Sequence, residues 1–163
     1  MRSGEILGLQ IGDIDLNNEV ISVSRSVSRG KVSTPKTANS FRNIQIFDLL
    51  KPYLLDQIKK AIEDNSLFLF SRNGKFIPSI DYVRGKRAYG QWTKLLESLN
   101  IPYRKIYNTR HTFITSMLKT GRLSALEIAQ MVGYANTKII FQNYARYIKD
   151  EHLKIDKKFD LYE

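Results

Sequence analysis

A chain of 163 residues is long enough for one ordinary domain and short for two. Its 42% hydrophobic and 11% aromatic content is that of a folding domain, and the lack of cysteine excludes a disulfide framework or a thiolate metal site. Lysine and arginine number 26 against 16 acidic residues, a formal net charge of +10 that favours a polyanionic partner, most often nucleic acid.

No apolar run approaches the roughly 18 residues of a membrane span, and the opening Met1-Arg2-Ser3-Gly4-Glu5 lacks the apolar stretch of a signal peptide. The expectation is one cytoplasmic domain over 1–163, with a C-terminal tail from 150 to 163. Ile6, Leu7 and Leu9 predict a short apolar-faced helix at the start. It begins abruptly, which reads as a piece of a longer architecture.

Residues 19–47 read as strands. Ile21 and Val23 alternate with Val20, Ser22 and Ser24 at a period of two, Arg29-Gly30-Lys31 predicts a turn, and Asn43-Ile44-Gln45-Ile46 alternates again. This predicts a small antiparallel meander, with Thr34-Pro35-Lys36-Thr37-Ala38-Asn39-Ser40 as a polar turn segment inside it. Asp48 is placed to cap a helix carrying Leu49, Leu50, Tyr53, Leu54, Ile58 and Ile62. Leu67-Phe68-Leu69-Phe70 predicts a short buried strand or turn segment closed by Arg72-Asn73-Gly74-Lys75. Residues 79–98 read as helical, and so does the rest. One helix ends at Gly121, Ser124-x-x-Glu127 is a capping box opening a run that Gly133 stops, and a last helix runs from Asn136 or Thr137 through Ile148. The fold class is mostly α with a small antiparallel β-sheet near the N-terminus.

Phosphoryl transfer at a DNA backbone needs donors for the non-bridging oxygens, a nucleophile, and a proton source for the departing oxygen. Arginine suits the first task with a planar fork that stays charged. Tyrosine can be the nucleophile and lysine the acid. Arg2-Ser3-Gly4-Glu5-Ile6-Leu7-Gly8-Leu9 with Asp13-Ile14-Asp15 resembles the first-arginine motif of the tyrosine recombinases, the phage integrase family. Thr34-Pro35-Lys36-Thr37 through Ser40-Phe41-Arg42 resembles their β-hairpin lysine motif, Tyr107-Asn108-Thr109-Arg110-His111-Thr112-Phe113 their second-arginine box, Val132-Gly133-Tyr134 their L-G-H, and Asn143-Tyr144-Ala145-Arg146-Tyr147 the segment bearing the nucleophile. The motifs stand in the family's order and cover almost the whole chain. The interval from Arg110 to Tyr144 has room for about three helices, enough to fold a C-terminal tyrosine back over a helix-borne arginine.

The resemblance implies a tyrosine recombinase catalytic domain and six site residues. Arg2 and Arg110 would clamp the scissile phosphate, Lys36 would protonate the 5′-oxygen, and Tyr144 would attack phosphorus to form a 3′-phosphotyrosyl link. Neither a metal nor another cofactor is required. Tyr107 and Tyr134 stand where the family has histidine, and histidine or tryptophan; a phenol still donates to phosphate, but with an ordinary pKa of about 10 it accepts protons poorly. Glu5 would support Arg2, and Tyr147 is the rival nucleophile. His111 is not by default a substitute for the histidine that Tyr107 replaces, since one residue along a helix turns a side chain by about 100°; it reads as a structural residue bonded at the helix start, with a site role as the alternative. Arg25, Arg29, Lys31, Arg42, Arg84, Lys86, Arg87, Arg104 and Lys105 collectively fit a phosphate-tracking surface.

The implied partner is double-stranded DNA, with self-association into a synapse of four protomers in a bacterial nucleoid. Two other readings remain open. Ser124 through Tyr134 also fits the first helix and turn of a helix-turn-helix regulator. The third is a non-catalytic remnant that keeps fold and charge. The short N-terminus predicts that the chain by itself binds DNA weakly and recombines nothing.

Overall fold

The computed structural model describes residues 1–34, 41–80 and 90–148. Lys36, the cluster Arg84, Lys86 and Arg87, and the tail from 150 lie outside the described residues.

Helix α1 (Ser3–Gly8) starts the chain. Its third residue, Glu5, folds back to accept the backbone N–H of Arg2 at 2.7 Å, so the helix caps itself with a carboxylate at its positive end. Leu7 and Leu9 are buried while Ile6 is exposed. Gly4 and Gly8 share one side of α1 and let it lie directly on backbone. A Cβ at Gly4 would stand 2.7 Å from the Val27 carbonyl oxygen, and one at Gly8 3.1 Å from that of Arg25.

The strands between residues 14 and 45 form two separate sheets where the period-two pattern predicts one meander. Strands β1 (Ile14–Asp15), β2 (Val20–Val23) and β5 (Arg42–Gln45) pair antiparallel in the order β1-β2-β5, with Ile21 opposite Ile44 and Val23 opposite Arg42. Strands β3 (Ser26–Ser28) and β4 (Lys31–Ser33) make their own hairpin against α1. Its turn puts Arg29 and Gly30 at φ 50° and 73°, the left-handed pair that matches strand twist. The division occurs because β2 stops at Val23, before the expected Ser24.

Asp48 opens a 3-10 turn (Asp48–Leu50) instead of capping the next helix; it pairs with Lys51, and Pro52 stands in the first turn of α2 (Lys51–Glu63). Leu54, Ile58 and Ala61 face inward, whereas Leu49, Tyr53 and Ile62 are exposed. Leu69 is fully buried and donates its N–H to the Leu9 carbonyl at 2.8 Å, but Leu67 is exposed and the segment is a bend with a single bridge from Phe68 to Gln10, not a strand. Strands β6 (Ser71–Arg72) and β7 (Lys75–Phe76) close over Asn73-Gly74.

Helices dominate the second half: α3 (Gln91–Ser98), α4 (Asn108–Thr120), α5 (Ala125–Val132) and α6 (Lys138–Tyr144). Gly121 and Gly133 end α4 and α5 in the left-handed conformation, and Ser124 with Glu127 forms the expected capping box. The last helix is shorter than its apolar pattern predicts: after Tyr144 the chain tightens into a 3-10 turn (Ala145–Tyr147). Among the described residues no helix is long and apolar enough to cross a membrane.

Two apolar clusters result. Leu9, Ile21, Val23, Ile44, Ile46, Leu54 and Leu69 fill the sheet side; Ile114, Leu118, Ile128, Val132, Ile140 and Tyr144 fill the helical side. Met131 of α5 packs on the first cluster while Val132 belongs to the second, so α5 joins them.

Candidate active site

The site is built around a carboxylate held between two guanidinium groups. Glu5 is 3% exposed. Its Oε1 accepts from Arg2 Nη1 at 2.9 Å and from Arg42 Nη1 at 3.2 Å, and its Oε2 accepts from Arg42 Nη2 at 2.8 Å. Burial alone would raise the Glu5 carboxyl. The hydrogen bonds from Arg42 and the Arg2 backbone, with the Arg42 charge, outweigh it and hold the group at about 2, well below its ordinary 4.5.

Each arginine also reaches the end of α5. Arg42 Nε donates to the Met131 carbonyl and Arg2 Nη2 to the Gly133 carbonyl, both at 2.9 Å. These contacts tie the sheet side to the helical side across more than 85 residues of sequence and place cations on the negative end of a helix. Gly133 serves twice: its φ of 75° needs glycine, and a Cβ there would stand 2.9 Å from Arg42 Nη1. The Arg42 side chain is 8% exposed. It is therefore a buried bridge and leaves the expected phosphate-tracking surface, and Arg25 is likewise paired with Asp13. Arg2 differs, with its side chain 40% exposed.

Arg110 stands in the first turn of α4 and is 4% exposed, yet among the described residues none of its three side-chain nitrogens has a hydrogen-bond partner. Its Cζ lies 4.9 Å from the centre of the Tyr134 ring. A cation–π contact contributes on the order of 1–2 kcal/mol, less than the several kcal/mol that removing a charge from water costs. A buried fork whose three nitrogens find no hydrogen-bond partner among the described residues is therefore an incomplete arrangement, of the kind an anion with two or more oxygens can complete. Tyr134 follows Gly133, so the residue that receives Arg2 on its carbonyl adjoins the one that supports Arg110.

Tyr144 ends α6 and is 4% exposed. Its hydroxyl shares a hydrogen bond with Nδ1 of His111, an exposed residue of α4. Burial first, then hydrogen bonding to Tyr134 and the proximity of Tyr134 and Tyr107, push the phenol above its ordinary range, while Arg110 pulls the other way. Tyr107 immediately precedes α4 and is 41% exposed. Its ring meets that of His111 edge-on at 5.2 Å. An open groove of about 630 Å³ runs past His111, Tyr134, Tyr144, Asn143 and Arg146. Tyr147 also lines this groove, with the Arg146 and Lys119 cations 5.0 and 5.5 Å from its ring centre.

Five of the six site residues expected from sequence thus gather in one region: Arg2, Arg110 and Tyr134 through Gly133, and Tyr144 and Tyr107 through His111. The sixth, Lys36, lies outside the described residues. Sequence reasoning missed two residues. Arg42 was legible as the arginine of the S-x-R string, but nothing in a one-dimensional pattern says that it points inward. His111 is bonded to Tyr144 and not to its own helix start. Its signal was the distance from Tyr107, four residues and hence one helical face.

A sequence profile of the phage integrase family matches residues 1–151. A tyrosine recombinase XerC-like protein of Caldanaerobacter subterraneus subsp. tengcongensis is 24% identical over 168 residues, covering 91% of this chain and 43% of its own length. The integrase of Staphylococcus phage L54a is 28% identical over 177 residues, covering 98% of this chain and 48% of its own. The chain thus spans about half the length of the curated relatives it matches. Among solved structures, the Tn1549 transposon integrase in complex with transposon right end DNA superposes with a TM-score of 0.74 at 23% identity, over 94% of this chain and 52% of that one. The XerA recombinase does so with 0.69 at 20%, over 93% and 50%. At these identities the likeness to solved structures is one of fold.

Proposed function

The chain belongs to the phage integrase family, and on that premise we propose that it cuts and rejoins DNA strands through a covalent link to Tyr144. One observation supports this above all: the buried fork of Arg110, without a hydrogen-bond partner among the described residues, set beside a phenol that opens on a groove. A phosphodiester supplies what that fork lacks. Arg2, partly exposed beside Gly133, is the second cation for the same phosphate. The two guanidinium groups draw charge from the non-bridging oxygens as the pentacoordinate transition state forms.

In the forward step Tyr144 Oη bonds to phosphorus, and the bond from phosphorus to the 5′-oxygen breaks with its electron pair. Lys36 supplies the proton to that oxygen. The reverse step begins with a 5′-hydroxyl from a partner strand, so the bond energy stays in the phosphotyrosyl link and no ATP is consumed. Tyr134 supports Arg110 from its ring face and donates to phosphate, and Tyr107 stands at the mouth. Double-stranded DNA in a bacterial cytoplasm is the substrate, with four protomers assembling on two duplexes for exchange.

A pool of nicked duplexes of random sequence tests this reading. A denaturant-resistant protein–DNA adduct is expected, lost in Tyr144→Phe and in Arg110→Ala and retained in Tyr147→Phe. An adduct that survives Tyr144→Phe and disappears in Tyr147→Phe would move the nucleophile to the rival. No adduct with any substrate, alongside salt-sensitive DNA binding, would leave the non-catalytic remnant.

A further inference from the structure

Within the groove, one side chain is both aimed at the attacking oxygen and chemically able to take its proton. We propose that His111 is the proton acceptor of Tyr144, the phenol donating to Nδ1 as it attacks; this rests on the reading of Tyr144 as nucleophile. The position expected to supply a base is Tyr107, and a phenol does not fill that role. Four residues along the same helix, His111 stands on the same face one turn further in, with its Nδ1 already bonded to the Tyr144 hydroxyl. The Tyr107 ring meets the imidazole edge-on.

The other groove residues do not compete. Among the described residues lining it there is no carboxylate; Asn108, Thr112, Thr115 and Asn143 are neutral and weakly basic, and Arg146 is already protonated. Tyr134 approaches Tyr144 as a second phenol. Burial holds the Tyr144 proton tightly, so an acceptor at hydrogen-bond distance removes the main obstacle to attack. The Tyr144 ring is buried while His111 is exposed, which gives the abstracted proton a route to water.

The step balances as follows. The O–H bond of Tyr144 breaks and its proton passes to Nδ1, leaving an imidazolium. Oη bonds to phosphorus and the leaving oxygen departs with the electron pair of the old bond. In the reverse direction the imidazolium returns the proton to the departing phenolate. The charge it carries meanwhile is offset by the doubly negative transition state held on Arg2 and Arg110.

Thymidine 3′-(4-nitrophenyl phosphate) separates this role from that of Lys36, because nitrophenolate leaves without a proton. The chain should release nitrophenolate once and carry a thymidine phosphate on Tyr144, read by intact mass. His111→Ala and His111→Gln should both slow this by about 100-fold or more; glutamine keeps a hydrogen-bonding group near Oη but takes no proton, and it covers the case in which alanine unfolds. Added imidazoles should restore His111→Ala, with a rate that rises with the basicity of the imidazole. A His111→Gln protein as fast as the parent, or a rescue indifferent to basicity, would reduce His111 to a positioning residue and overturn the proposal alone. A parent chain that transfers no nucleotide to Tyr144 would overturn the nucleophile reading, and this proposal with it.

Discussion

Arg42 and Glu5 meet at 2.8 Å with both side chains almost wholly buried, although 37 residues separate them in sequence. Arg2, which shares the same carboxylate, is the partner left open to solvent. One glutamate therefore holds two arginines that both reach the end of α5, one buried and the other with much of its side chain open to solvent.

That division predicts opposite outcomes for two substitutions. Arg42→Ala leaves Glu5 buried with half its partners and frees the Met131 carbonyl, so it should lower stability by about 3–5 kcal/mol. Arg2→Ala removes a side chain that is 40% exposed, and should cost roughly 1 kcal/mol or less while abolishing the covalent adduct. Denaturant melts run beside the trapping assay distinguish the two. A large stability loss in Arg2→Ala would contradict the assignment.

Glu5 makes stability depend on acid. Its folded carboxyl titrates at about 2, against an ordinary 4.5, so the folded form binds the proton less readily than the unfolded one. The associated stabilisation is fully present above about 4.5 and is lost as pH falls towards 2. The shift is worth roughly 3 kcal/mol. Melting temperature should fall across that window, and in Glu5→Gln the Glu5 component should vanish together with a lower plateau at neutral pH. Equal acid dependence in parent and Glu5→Gln would refute the role given to this carboxylate.

Arg110 should show stability traded for function. Replacing an unpartnered buried cation by a chain of similar shape removes its desolvation cost, so Arg110→Met should melt at or above the parent's temperature. Inorganic phosphate should raise the melting temperature of the parent and leave Arg110→Met where it was. A strongly destabilised Arg110→Met would mean that the guanidinium is structurally satisfied.

Two glycines carry contacts that a helix-propensity argument would get backwards. Gly4→Ala gains up to about 1 kcal/mol of intrinsic helix preference, yet its Cβ would stand 2.5 Å from Ser26 Oγ and 2.7 Å from the Val27 carbonyl oxygen, so a net loss of stability is expected. Gly133→Ala combines a φ of 75° with a clash against Arg42, and should cost about 1–3 kcal/mol while loosening Arg2. Thermal unfolding of both proteins checks this.

Much of the fold was readable from local chemistry. The Ser124–Glu127 box and the stops at Gly121 and Gly133 appear where sequence expects them, because caps are settled by three or four neighbouring residues. The meander failed because alternation at β2 and β5 says which face each residue takes but not which strand it pairs with. The apolar stripe of α2 overran for a similar reason: Leu49, Tyr53 and Ile62 match helical spacing but lie outside the face that the sheet covers. At the site, residue types and motif order singled out Arg2, Arg110, Tyr107, Tyr134 and Tyr144, which the fold brings into one region, while the bond between His111 and Tyr144 has no signature in residue order beyond the four-residue step from Tyr107.

By itself, the order of residues determined the helical character of the second half, the stops at Gly121 and Gly133 and the chemistry available, since each depends on side-chain shape, backbone preference and charge within a few positions. Only the tertiary structure decided which arginine is a buried strut and which stays open to solvent, which guanidinium lacks a hydrogen-bond partner among the described residues, and which imidazole touches the phenol. Those are matters of burial and direction, and they arise when segments more than 30 residues apart are brought within 3 Å of one another.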